Sequence, residues 1–193
     1  ELSDGESGEG ESARAPILEE SQVSTNLHYY RVHNYIEQLA LIGQLKDLVL
    51  KINEEAKRED EKTNVAQEML GKPIRAVRCV VIDSVTFHFR ATDQFPDPAA
   101  RSRLLSKMAS ELTALATTCQ VAVVVMNQMT TKPGAGVVPA LGDVWGHQAS
   151  TRVVLEADPY ENKRKAIVVK SSSLPHASAF YQVTTNGVRD CPI

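Results

Sequence analysis

Two apolar runs constrain this chain more than any other feature: AVRCVVID over residues 76–83 and CQVAVVVM over residues 119–126. Their mostly apolar centres suit strands covered on both faces, the usual housing of parallel strands. Parallel neighbours need a crossover, usually a helix. The intervening sequence supplies one. Asp97 suits the N-cap and Pro98 the first helical position. Leu104, Met108, Leu112 and Leu115 then fall on one stripe, through Ala116. Strand, helix, strand is the unit of a right-handed α/β sheet.

The pattern extends in both directions. Upstream, LHYYRV from Leu27 reads as a short strand. Asn34 stands three residues before Glu37, the spacing of a capping box. Ile36, Leu39, Ile42, Leu45, Val49 and Ile52 follow at helical spacing, so a helix is expected from Tyr35 to beyond Lys51. Gly43 within it costs about 1 kcal/mol against alanine. Downstream, STRVVLEAD, KRKAIVVKS and SAFYQVTTNGVRD read as three strands of an antiparallel meander on the edge of the main sheet, with Asn186-Gly187 as a turn signal. The expected class is α/β: a mostly parallel sheet flanked by helices, with a C-terminal antiparallel edge.

Composition sets limits on partners and environment. The 193 residues suffice for one domain with a sizeable core. Net charge is -3, so any nucleic-acid contact has to come from a local cluster. Cys79, Cys119 and Cys191 are odd in number and far apart, which favours a reduced, intracellular chain. No apolar run nears the roughly 18 residues of a membrane span. Residues 1–26 open with ELSDGESGEGES, five acids and no base, a composition expected to be disordered. The domain is then 27–193. Within it, residues 54–70 form a charged insertion whose EEAKREDEKT segment is either a helical extension or a loose excursion. The chain begins at Glu1 rather than Met, as a fragment or processed product would.

Candidate chemistry gathers after the two apolar runs. Ligands of open α/β sheets bind outside the carboxyl ends of the strands. Asp83 ends the first run there and could hold Mg²⁺ on a nucleotide through water, or simply cap the next turn. Ser84 could join that water network or be a turn serine. Gln128, after the second run, carries an acceptor and two donors. It could sense a terminal phosphate, or satisfy loose backbone, a task that suits Asn127 better. Residues 129–146 read as an overlong loop of small polar groups, with Thr130, Thr131 and Lys132 suited to a nucleic-acid backbone. The loop from Ser84 to Ala100 holds Arg90, with Arg101 and Arg103 just inside the following helix. These arginines could pair with phosphates, or with Asp93 and Asp97. The histidines and cysteines show no metal-ligand spacing, and there is no GxSxG elbow.

Taken in order, VVIDSVTFHFR, RSRLLSKMASEL, VAVVVMNQMTTK and PALGDVWGHQASTRVVLE resemble the RecA/RadA recombinase family. NQMTTK, ALGDVWGH and KSSSLP narrow the resemblance to the eukaryotic recombinase paralogues, the branch usually labelled C. It covers about residues 27–190. It implies a RecA-like P-loop NTPase core, here without its N-terminal part, and ATP and Mg²⁺ as cofactors. Asp83 would be the Walker B acid, with Ser84 beside it, and Gln128 the γ-phosphate sensor. Residues 129–146 would be the second DNA-binding loop, and Arg90 to Arg103 the first with its flank. Lys170 to Pro175 would cap a neighbouring subunit's ATP. The resemblance further implies DNA and other recombinase paralogues as partners, no membrane, and a nuclear role in homologous recombination and double-strand break repair. No GxxxxGK[ST] phosphate cradle is present, and GKPIRAV at Gly71 does not match one. The chain alone is therefore expected to bind ATP weakly and not hydrolyse it. A non-catalytic scaffold or DNA-binding subunit, and another RecA-fold motor such as a hexameric helicase, are the alternatives.

Overall fold

The computed structural model describes residues 20–63, 75–90, 95 and 97–191. The chain divides into two compact units, Glu1–Arg31 with Ile52–Ala76, and Val32–Lys51 with Val77–Ile193. In the smaller unit, Glu20–Thr25 forms a short helix, α1, within a stretch expected to lack regular structure. The Arg75 amide there donates to the Asn26 side-chain carbonyl at 2.7 Å. Residues 1–19, most of the acidic segment, lie outside the described residues, as do 64–70 of the insertion.

Helix α2, Tyr35–Thr63, contributes residues 35–51 to the larger unit and 52–63 to the smaller. EEAKREDEKT therefore continues the helix. Its start is the expected capping box. The Glu37 amide donates to Asn34 Oδ1 at 2.9 Å, and the Glu37 carboxylate accepts from the His33 amide at 2.9 Å and Asn34 Nδ2 at 3.0 Å. These bonds, with the His33 amide first, hold the Glu37 carboxyl below its usual range. Ile42, Leu45 and Val49 are buried as the periodicity predicts, whereas Ile36 is exposed and Gln38 takes an inward place. The expected strand at LHYYRV does not form: residues 26–33 have no regular structure, and Leu27 and Tyr29 are exposed. Aromatic and β-branched residues favour a strand only when a neighbouring strand pairs with them.

Strands β1, Cys79–Ile82, and β2, Ala122–Val125, pair in parallel, Cys79 opposite Ala122 and Ile82 opposite Val125. Between them come α3, Val85–Phe89, in a stretch expected to be loop, and α4, Pro98–Cys119. The Asp97 side chain caps α4 by accepting the Ala99 amide at 2.8 Å, with Pro98 inside the first turn. Val80, Ile82, Val123 and Val125 pack onto a core built from α2, α3 and α4. Phe89 stacks on Phe95 at 5.5 Å, with Tyr35 against both rings. The pair is thus covered on one face, not both: Val81 and Val124, opposite each other, are 60% and 43% exposed. An apolar run announces burial potential without saying how many layers are there to cover it.

Two further departures concern the antiparallel part. The region after Gln128 is not a long loop. Met129–Lys132 (β3) and Gly136–Pro139 (β4) form an antiparallel hairpin, and Gly142–Gln148 forms a helix, α5, packed on α4. The turn is closed by the Ala135 amide donating to the Lys132 carbonyl at 3.1 Å. Pro133 precedes Gly134 at φ +79°, the order and positive φ of a type II turn. The meander comprises four strands: β5, Arg152–Ala157; β6, Arg164–Lys170; β7, Ala177–Thr184; and β8, Gly187–Asp190. It is a sheet of its own in the order β5-β6-β7-β8, not hydrogen-bonded to β1–β2. Among the described strands only β1–β2 is parallel, so the α/β class holds without a mostly parallel sheet.

Candidate functional site

The carboxyl ends of β1 and β2 lie side by side because the register pairs Ile82 with Val125. The chain leaves them through Asp83-Ser84 and Met126-Asn127-Gln128. Ladder-like bonds continue past the strands: the Met126 amide donates to the Ile82 carbonyl at 2.9 Å, and the Val85 amide to the Met126 carbonyl at 3.3 Å. The Asp83–Ser84 peptide is cis.

One residue missed in the sequence organises this edge. Thr86, on α3, is fully buried. Its hydroxyl donates to Asn127 Oδ1 at 2.5 Å and accepts the Gln128 amide at 3.0 Å. Asn127 Nδ2 in turn donates to the Ala140 carbonyl at 3.0 Å, and the Ala140 amide donates to the Gln128 carbonyl at 2.9 Å. Four bonds thus tie together the end of β1, the end of β2 and the exit of the β3–β4 hairpin. Asn127 has the structural task foreseen for it. Thr86 is a threonine between two apolar residues, a pattern common to buried turns and silent about function. Its only distinguishing trait is its place three residues after Asp83.

The side chains left outside this clasp are those first singled out. Asp83 is exposed, and its carboxylate has no ion-pair or hydrogen-bond partner among the described residues. Ser84 is half-buried at the start of α3 and makes no side-chain cap bond. The Gln128 amide group is exposed and likewise unengaged, although its backbone is held at both N–H and C=O. An oxygen donor free at a strand end fits a hard cation held through water. Among the described residues no three acidic, histidine or cysteine side chains gather as a metal cage.

The cationic and hydroxyl candidates separate into two groups. Arg90, directly after α3, is exposed and donates to Thr130 Oγ1 on β3 at 3.5 Å, a long bond that brings the two expected DNA-contacting segments together. Thr131 and Lys132 are exposed on the same hairpin. Arg103, by contrast, is engaged with Asp97 at 3.3 Å. Arg101 is half-buried, with its Nε unpaired. Lys170 is also tied: its ammonium donates to the His147 carbonyl in the last turn of α5 at 2.9 Å. Beyond it, Ser171 Oγ accepts the amides of Ser173 and Leu174 at 3.3 and 3.1 Å, which shapes the SSSLP bend. Residues 91–94 and 96, within the expected first loop, lie outside the described residues.

The chain is similar to known DNA repair and recombination proteins. The Rad51 family profile matches residues 12–191. A "DNA repair protein RAD51 homolog 3" of Cricetulus griseus is 30% identical over 174 residues, covering 89% of this chain and 40% of the relative. The Dictyostelium discoideum protein of the same name is 33% identical over 173 residues, 87% of this chain and 39% of the relative. "DNA repair and recombination protein RadA" of Aeropyrum pernix is 31% identical over 185 residues, 92% and 50%. The chain thus spans half or less of the length of these relatives. The crystal structure of a RadB recombinase has the same fold, with a TM-score of 0.58 at 21% identity over 84% of this chain and 63% of that one.

Proposed function

The chain belongs to the Rad51 family, and from that premise we propose that it supplies the strand-end and DNA-contacting part of an ATP-dependent protein of homologous recombination and DNA double-strand break repair. Its relatives are DNA repair and recombination proteins by name. In this reading it works in the nucleus, in hetero-oligomers with other recombinase paralogues.

The observation that carries the reading is the path from Gln128 to Arg90. Gln128 has a free side chain at the strand end and a clamped backbone, and the next residue opens the hairpin whose Thr130 bonds Arg90. A shift of the Gln128 side chain toward a phosphate pulls on a segment with little slack before β3. The hairpin and Arg90 then change arrangement together, which is a two-state element biased by phosphate contact. Asp83, with Ser84 beside it, would hold Mg²⁺ through water, and that cation would neutralise phosphate charge. Arg90, Thr130, Thr131 and Lys132 would hold the DNA backbone. Arg101 and Arg103 flank them, and Arg103 becomes available only by leaving Asp97. Lys170, on the α5 side, would meet a neighbouring subunit's nucleotide by exchanging its bond to His147. The 193 residues contain no GxxxxGK[ST] cradle, so weak ATP binding and no turnover are expected from this chain alone.

Titration of a fluorescein-labelled oligothymidylate by anisotropy, over a range of salt, tests the DNA face. Arg90→Ala and Lys132→Ala are each expected to weaken binding and to reduce the log–log salt slope by about 0.7. Unchanged curves in both variants would remove the hairpin from the site. In the protein that unites this segment with a phosphate cradle, Gln128→Ala is expected to leave nucleotide-free DNA binding intact and abolish its response to ATP. An undiminished response would sink the relay.

A further inference from the structure

Helix α3 and the entry to the hairpin meet at two points, one buried and one exposed. The buried point is the Thr86 hydroxyl, which accepts the Gln128 amide at 3.0 Å. The exposed point is Arg90, whose guanidinium donates to Thr130 Oγ1 at 3.5 Å. Thr86 and Arg90 are four residues apart, and Arg90 keeps helical angles, φ -83° and ψ -30°, at the C-cap of α3. Their side chains therefore leave the same face of the helix, one turn apart. Gln128 directly precedes β3, and Thr130 is the second residue of that strand. Four helical residues advance about 6.0 Å and two strand residues about 6.6 Å. The spacings match, so a single register of the hairpin on α3 satisfies both contacts.

The two contacts are unequal. An N–H···O bond is ordinarily about 2.7–3.2 Å long. The Arg90 contact lies beyond that range and is open to water, so it does not hold the register by itself. Thr86 is better placed to do so. It is fully buried, and so are Val85 and Phe89, which fix α3 in the hydrophobic core. Slipping the hairpin along α3 would take Asn127 Oδ1 and the Gln128 amide away from the Thr86 hydroxyl, and an unmet buried hydroxyl is costly.

We infer that Thr86 is a positioning residue for the DNA face: its hydroxyl sets the register of the β3–β4 hairpin on α3, so that Arg90 and the hairpin present themselves to a nucleic-acid backbone as one unit. The inference rests on the proposed DNA-binding role of Arg90 and the hairpin. Thr86 itself, buried beneath them, touches no DNA. Without the hydroxyl, Arg90 keeps its charge but loses its fixed place beside Thr130, and its share of the contact is lost with it.

The test is anisotropy of fluorescein-labelled oligothymidylate with the whole chain, between low and moderate salt and well below the thermal midpoint of each variant. Thr86→Val exchanges one neutral side chain for another, yet it is expected to lower the log–log salt slope by about 0.7, the share of one phosphate contact on a single strand. Adding Arg90→Ala to that variant should lower the slope no further, whereas Arg90→Ala in wild type lowers it by about 0.7. Thr86→Ser keeps the hydroxyl and should restore both the slope and its response to Arg90→Ala. Asn127→Ala is the control for stability: it removes the other partner of Thr86 but leaves the bond to the Gln128 amide, so the Arg90 effect should persist in it. A wild-type slope in Thr86→Val, with Arg90→Ala still fully effective there, overturns the positioning role and leaves the hairpin reading standing. A serine variant that behaves like the valine variant overturns the assignment to the hydroxyl. An unchanged slope for Arg90→Ala in wild type overturns the DNA reading of Arg90 itself. Should Thr86→Val fail to fold, Thr86→Ala, whose smaller side chain admits water to the two stranded groups, carries the same measurements.

Discussion

Thr86 with Asn127, and Asp83 with Gln128, are two polar pairs at the ends of the same two strands, and they are in opposite conditions. The first pair is consumed: a fully buried hydroxyl bonded to both an amide side chain and a backbone N–H. The second is exposed, with side chains that have no partner among the described residues. Burial makes an unmet hydroxyl expensive, so Thr86 has to be satisfied within the protein, and Asn127, itself exposed, supplies the acceptor. Water satisfies the outer pair at little cost, which leaves it free for a ligand. The difference shows how a strand end can be coupled and receptive at once: the clasp ties the backbone of Gln128 to the hairpin exit at Ala140 while its side chain stays exposed.

Substitutions sharpen that contrast, beginning with the largest effect. Thr86→Val keeps shape and removes the hydroxyl, stranding Asn127 Oδ1 and the Gln128 amide. A loss of about 2 kcal/mol is expected, read as a lower urea midpoint. A change near zero would mean that the clasp contributes nothing. Asn127→Ala likewise strands two groups, the Thr86 hydroxyl and the Ala140 carbonyl, but it vacates an exposed position that water can fill, so about 1 kcal/mol is expected by the same measurement. Asp83→Asn and Gln128→Ala should each stay within about 0.5 kcal/mol of wild type, and a larger loss would show that the outer pair is structural after all.

The smallest effect lies in the first turn of α2. The Glu37 carboxyl is held below its usual range chiefly by the His33 amide. Its contribution is therefore present above the unfolded-state pKa and is lost as pH falls through the folded one. Glu37→Gln should lower stability slightly at neutral pH and flatten the acid limb of the pH–stability curve. An acid limb identical to that of wild type would remove Glu37 from it.

The elements that could be read in advance were those with short-range causes. Asn34 and Glu37 cap α2, and Asp97 and Pro98 begin α4, because the groups that satisfy each first turn lie within a few residues. β1 and β2 form and pair as their apolar runs suggest. The hairpin at Met129–Pro139 was hidden by its turn. Lys132-Pro133-Gly134 reads as loop, yet Pro-Gly can reverse a chain between Thr130-Thr131 and Val137-Val138, four β-branched residues that then pair. Leu27–Val32 shows the converse error, strand-favouring residues that find no strand partner.

The candidate site divides in the same way. The order of motifs sufficed to indicate the family, and residue type and spacing singled out Asp83, Gln128 and Lys132 as candidates. Nothing in the sequence separated Arg90, which reaches Thr130, from Arg103, which is bound to Asp97. Nor did it mark Thr86 as the centre of a clasp, or bring Lys163 and Lys165 to the Phe180 ring. Each of those outcomes depends on a partner tens of residues away or on which of several nearby acids a cation meets. Only packing of the strands and helices brings such groups within hydrogen-bonding distance, so tertiary structure alone decided them.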